Sequence, residues 1–164
     1  MHKIFIFFLL ILFCFACSKE NIKKSSINEK SLELQVLEAY EEGVEALEGG
    51  DVLFAAKKFN EAEILFPQGE WAPKSSLMAS YSYYIQDYYG DAIAELERFL
   101  VVYPLHKDLQ YAYYLLAICH YEQIVDEKKD LQSIIKAKKY FQIISNNYPQ
   151  TEYAIDAAFK LDLI

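Results

Sequence analysis

Apolar residues recur at spacings of three and four along nearly the whole chain, and three aromatic-proline pairs punctuate them: Phe66-Pro67, Tyr103-Pro104 and Tyr148-Pro149. That period is one face of an α-helix. Proline has no backbone N–H to donate and disfavours helix in the residue before it, so each pair closes a helical segment. Between the pairs, Gly49-Gly50-Asp51 and Gly90-Asp91 offer a stop followed by an N-cap. The pattern predicts a first helix from Ser26 or Ser31 to Glu48, Ser26 and Glu29 fitting a capping box. A second follows over Val52 to Phe66, with Phe54, Ala55, Ala62, Leu65 and Phe66 turned inward. Residues 67–73 read as a loop with Trp71 as an aromatic plug, and a third helix runs from Lys74 to about Asp87. A fourth ends at Tyr103, a fifth begins after Lys107-Asp108, a sixth near Asp130 and a last one after Thr151.

The three prolines lie 37 and 45 residues apart, close to the roughly 34-residue period of tetratricopeptide (TPR) helix hairpins. With each proline at position 32 of that period, Gly43 falls at 8, Gly50 at 15, Ala55 at 20, Phe59 at 24 and Ala62 at 27 of the first unit. In the second, Ala79 falls at 7, Ala92 at 20, Leu96 at 24 and Phe99 at 27, with Ser80 in place of the glycine at 8. In the third, Ala137 and Phe141 take 20 and 24, and Leu116, Ala117 and His120 take 7, 8 and 11 once an insertion is allowed at the charged run Asp126 to Asp130. Small residues thus fall where the helices of a unit must approach closely. The fold class is all-α: a right-handed α-solenoid of TPR hairpins over 29–164, with repeats at about 30–67, 70–104 and 107–149 and a partial fourth at 151–164.

In such a solenoid the first helix of each unit faces a concave surface through positions 2, 5, 9 and 12. These are Leu37, Tyr40, Val44 and Leu47; then Lys74, Leu77, Tyr81 and Tyr84; then Tyr111, Tyr114, Ile118 and Tyr121. Six tyrosines, Tyr40, Tyr81, Tyr84, Tyr111, Tyr114 and Tyr121, share this predicted groove. A tyrosine offers a large flat contact with a polar tip and little rotamer entropy to lose, which suits the binding of varied peptide segments. The alternative occupant is an intramolecular segment such as the N-terminal tether. Tyr83, Tyr89 and Tyr113 are assigned to packing.

Ahead of the repeats, His2 and Lys3 give a basic start, Ile4 to Phe13 an apolar middle and Ala16 a small residue, the layout of a secretion signal over 1–16. Ala16-Cys17 resembles the lipobox of bacterial lipoproteins, which implies that Cys17 carries the lipid, and Ser18 is not the Asp associated with inner-membrane retention. Acyl chains at about 0.8 kcal/mol per buried CH₂ anchor stably when several share one residue. Residues 17–28 are polar and aperiodic and read as a tether, with an extended reach of about 35 Å. With Cys14 removed and Cys17 acylated, Cys119 has no intrachain disulfide partner.

A net charge of −8 and a single arginine, Arg98, exclude nucleic acid, whose affinity rests on clustered Lys and Arg. The composition, 54% hydrophobic and 24% charged, suits one globular domain. Cys119-His120 are helix neighbours about 100° apart, with no second ligand at metal spacing, and read as core. Glu38, Glu41, Glu42, Glu45 and Glu48 read as a solvated face. Without a Ser-His-Asp set or a glycine-rich phosphate loop, neither enzyme, metal nor cofactor is expected.

Four strings carry a more specific resemblance: GEWAPKSSLMASYSYY at 69–84, DAIAELERFLVVYPLHKD at 91–108, YAYYLLAICHYEQI at 111–124 and NYPQTEYAIDAAFKLDLI at 147–164. With the lipobox, they resemble the BamD family, the TPR lipoproteins of the outer-membrane β-barrel assembly (BAM) complex. The resemblance implies a non-catalytic scaffold anchored in the outer membrane, facing the periplasm. Its implied partners are BamA, the other BAM lipoproteins and unfolded outer-membrane protein segments. Family members generally carry a basic-Asp-Gln run where this chain has Lys129-Asp130-Leu131, and about five repeats where three and one helix are read here. Ala154, Ala157, Ala158, Leu161 and Ile164 form an apolar stripe on the last helix. The stripe predicts a partner surface or a missing C-terminal portion. Another TPR lipoprotein adaptor, such as a secretin pilotin, shares signal, lipid and repeats but not the four strings; a cell-wall hydrolase or its regulator lacks support in the residues.

Overall fold

In a computed structural model of the chain, the described residues are 26–124 and 131–164, with side chains from residue 32 onward. The signal, Cys17, the tether up to residue 25 and the insertion at 126–130 lie outside them. The described residues form seven helices: α1 Ser26–Glu48, α2 Val52–Leu65, α3 Trp71–Tyr84, α4 Tyr89–Val102, α5 Leu109–Glu122, α6 Leu131–Asn147 and α7 Glu152–Leu161. α1 takes the earlier of its two sequence-allowed starts.

Each helix packs on the next in sequence, and the backbones of α1, α3, α5 and α7 also approach one another in order, whereas those of α2, α4 and α6 stand further apart. Odd-numbered helices therefore line the inner side of the array and even-numbered helices splay outward. Small residues make the close packing possible. Ala55, Ala56, Ala62, Ala79, Ala92, Ala112, Ala117 and Ala137 are buried around the larger plugs Phe59, Leu96, Phe99 and Phe141. At Gly43 the approach is closest, since a Cβ there would stand 2.8 Å from the Phe59 ring.

Caps follow local chemistry. Asp51 accepts from the Phe54 N–H at 3.2 Å to open α2, after a turn in which Gly50 adopts φ +82. Thr151 accepts from the Ala154 N–H at 3.3 Å to open α7, satisfying a donor that has no intrahelical partner.

Three expectations are corrected. α3 begins at Trp71, not Lys74, because Pro73 falls in the first turn, where a missing N–H costs no hydrogen bond. It ends at Tyr84, not Asp87. Asp87 takes the left-handed conformation at φ 61, and the Tyr88 N–H reaches back to the Tyr83 carbonyl at 3.0 Å, so the stop precedes Gly90, which lies inside the first turn of α4. Phe54 and Phe66 are exposed rather than inward, since the face of α2 that meets its neighbours carries Val52, Ala55, Ala56, Phe59, Ala62 and Glu63.

Candidate functional site

The inner side of the array gathers phenol rings. Tyr81 and Tyr84, one turn apart on α3, have ring centroids 6.3 Å apart, and Tyr89 from α4 stands 6.1 Å from Tyr84. On α5, Tyr111 and Tyr114 flank Tyr153 of α7 at 5.9 and 5.0 Å. The two groups adjoin: burial raises the Tyr111 phenol above its ordinary pKa, with Tyr81, Tyr153 and Tyr84 adding to the shift. Burial also raises Tyr114, helped by its hydroxyl donating to Asp156 Oδ2 at 2.6 Å. Tyr84 is raised by burial and by the nearby Glu122 carboxylate. These rings are half-buried, so the surface offers aromatic faces together with phenol hydroxyls.

The predicted row of six is therefore a cluster of four with two outliers. Tyr40 packs against Phe59 at 5.2 Å and Trp71 at 4.8 Å. Tyr121 sets its edge on Phe141 at 6.1 Å, with the Lys160 ammonium 4.6 Å from its ring centroid. Both serve the joints between units. Beside Tyr40's partner Trp71, Leu34, Leu37, Phe66, Glu33 and Glu70 help line a cleft of about 510 Å³.

Sequence reasoning missed Tyr153, although its signal was present. Trp71 and Tyr153 each stand four residues after the proline of an aromatic-proline pair, and each packs on the position-5 tyrosine of the preceding unit, Tyr40 or Tyr114. The middle joint has Leu77 and Asp108 at those places. Also missed was the polar lock on the outer side. Arg98 donates through Nη1 and Nη2 to both oxygens of buried Glu63 at 2.7 and 2.6 Å, through Nε to Glu95 at 2.9 Å and through Nη2 to Ser76 Oγ at 3.0 Å. Tyr103 donates to Glu63 at 2.7 Å.

The apolar stripe of α7 is corrected. Ala154 and Ala157 are buried against Ala117, Ile118, Ala137, Phe141 and Ile144, and Leu161 and Ile164 pack at the edge of that cluster. Only Ala158 of the stripe is exposed. Large apolar side chains do stand open on this helix, but they are Ile155 at 76% and Phe159 at 63% exposure, with Leu163 beyond.

Burial holds the Cys119 thiol up at about 12, so it carries no reactive thiolate. His120 is buried and stacked on Tyr140 at 5.8 Å, and among the described residues there is no metal-ligating cluster.

The sequence profile of the YfiO family, described as outer membrane lipoprotein, matches residues 33–164. The chain belongs to that family. Relatives carry a consistent title. It is 38% identical over 125 residues to the outer membrane protein assembly factor BamD of Caulobacter vibrioides, covering 76% of this chain and 41% of that protein. It is 30% identical over 141 residues to the BamD of Rickettsia prowazekii, covering 86% and 56% respectively. The chain thus spans about half the length of the curated relatives it matches. Among solved structures, the TPR domain of Arabidopsis OM64 superposes with a TM-score of 0.61 at 15% identity, over 80% of this chain and 97% of that one, which bears out the helical-hairpin fold. No helix among the described residues is long and apolar enough to cross a membrane.

Proposed function

We propose that the chain is a non-catalytic scaffold in the assembly of β-barrel proteins at the outer membrane. The family match over residues 33–164 carries this reading, and the titles of the relatives supply the process. A lipid on Cys17 holds the chain at the membrane, facing the periplasm, and the TPR array binds polypeptide. BamA and the other BAM lipoproteins are its partners, and unfolded barrel segments are its transient ligands. Tyr81, Tyr84, Tyr111 and Tyr114, with Tyr153 beside them, offer such segments stacking surfaces, and Tyr81 and Tyr84 add hydroxyl donors, the Tyr114 hydroxyl being held by Asp156.

The test is an affinity isolation of the lipidated protein from detergent-solubilised outer membranes. Recovery of BamA with the bait is the expected result, and a stable, lipidated bait that brings down no BamA refutes the role. Labelled palmitate incorporated into the native chain and absent from Cys17→Ser checks the anchor. Replacing Tyr81 and Tyr84 by Phe, which keeps the rings and removes the hydroxyls, is expected to weaken binding of an unfolded barrel segment several-fold while circular dichroism is unchanged; unaltered affinity removes the hydroxyls from the site.

A further inference from the structure

A set of exposed apolar side chains lies on the outer side, away from the tyrosines. Ile64 near the end of α2, Val101 and Val102 at the end of α4, and Leu105 in the following loop are 74%, 80%, 50% and 96% exposed. Exposed apolar side chains that share a cleft mark a binding face. Ile64 and Val102, together with Pro67 and Tyr103, wall a cleft of about 460 Å³, within the range of sites that seat a ligand group.

The cleft's floor has a definite charge and hydrogen-bonding sense. Arg98 is matched by two carboxylates, Glu63 and Glu95, which leaves one negative charge in excess. All three guanidinium nitrogens already donate to these carboxylates, and Glu63 takes up the Tyr103 hydroxyl as well. Glu95 receives both its bonds on Oε2, so its second oxygen is free to accept. The floor therefore offers a carboxylate oxygen and excess negative charge between apolar walls.

We propose that this outer cleft, between the second helices of the first two units, docks a segment of a partner protein that presents a lysine or arginine beside aliphatic side chains. The cation faces Glu95, and the aliphatic groups cover Ile64 and Val102. An acidic segment is rejected by the unpaired charge, and a purely polar one leaves the walls wet. The site is separate from the tyrosine cluster, so two polypeptides can bind the array at once.

The probe is a short labelled peptide alternating lysine with leucine, with a glutamate-for-lysine and a serine-for-leucine version, titrated at physiological salt against the full chain in detergent. The lysine-leucine peptide is expected to bind at least about tenfold more tightly than either counterpart, a difference of about 1.4 kcal/mol. Ile64→Ser and, independently, Glu95→Gln are each expected to weaken it several-fold, with unchanged circular dichroism. Ile64 is exposed, so its loss leaves the core intact. Failure of the lysine-leucine peptide to bind, equal binding of the glutamate version, or binding that survives both substitutions overturns the proposal. So does concentration-dependent dimerisation abolished by Ile64→Ser, which would make the patch an interface between copies of this chain.

Discussion

His120 gives the fold an acid limit whose size follows from its surroundings. The imidazole is buried in α5, its ring is parallel to Tyr140 of α6, and its Nε2 has no hydrogen-bond partner among the described residues. Burial pushes its pKa from 6.5 down to about 4, with the Lys136 ammonium adding to the effect. In the unfolded chain the ordinary value returns, so between these two values the unfolded state binds more protons than the folded one and stability rises with pH. The contribution is fully present above pH 6.5 and is lost as pH falls toward 4. Two and a half pKa units amount to about 3 kcal/mol, a substantial share of the roughly 5–15 kcal/mol of a typical domain. Carboxylates titrate over part of the same range, so the measurement is a difference. Urea unfolding of the native chain and of His120→Phe, which keeps a ring against Tyr140, is followed from pH 7.5 to pH 4. The stability of the native chain relative to the variant is expected to fall by about 3 kcal/mol over that interval. A difference that stays flat with pH would show that the imidazole is hydrated or paired in the folded state and would falsify the account.

Arg98→Ala strips the buried Glu63 of its bidentate partner; an uncompensated buried carboxylate costs about 3–5 kcal/mol, and chemical denaturation should show Arg98→Ala/Glu63→Gln recovering part of that loss. Gly43→Ala places a Cβ 2.8 Å from the Phe59 ring, so thermal unfolding should report a loss of about 1–3 kcal/mol from overpacking, relieved when Phe59→Leu is added. Tyr114→Phe removes the hydroxyl that donates to Asp156; about 1 kcal/mol of stability is expected to go, with hydrogen exchange rising in α7 before α1.

Helix ends were legible in the sequence wherever covalent chemistry enforces them and illegible wherever packing chooses. After Phe66, Tyr103 and Tyr148 the proline ring excludes helix in its predecessor, and α2, α4 and α6 stop within a residue of those places. Pro73 is the same residue with the opposite outcome, since in a first turn it has no bond to break. At the end of α3, Asp87 and Gly90 were both eligible for a left-handed turn. Asp87 takes it, and its carboxylate accepts from the Tyr89 hydroxyl at 2.7 Å, a contact that exists only once α4 is folded.

The same division explains the site. Periodicity assigned six tyrosines to one side, of which four gather there, but it says nothing of which neighbouring ring fills the space beside them, so Tyr40 was counted as open although Trp71 covers it. On α7 the spacing of Ala154, Ala157, Leu161 and Ile164 was read as outward, yet residue size pointed inward. Where helices touch in this array alanine recurs, as at Ala55, Ala62, Ala117 and Ala137, and Ala154 and Ala157 follow suit, while Ala158 and the bulky Ile155 and Phe159 are left outside. Size, more than hydrophobicity, separates the two apolar faces of such a helix, because close backbone approach rather than transfer from water limits what an inter-helix contact admits. Glu63 and Arg98 show the limit of that method: they are 35 residues apart on successive outer helices, at register positions 28 and 26 of their units. Their proximity follows from stacking one repeat on the next, and only the overlaid register, not either helix alone, contains it.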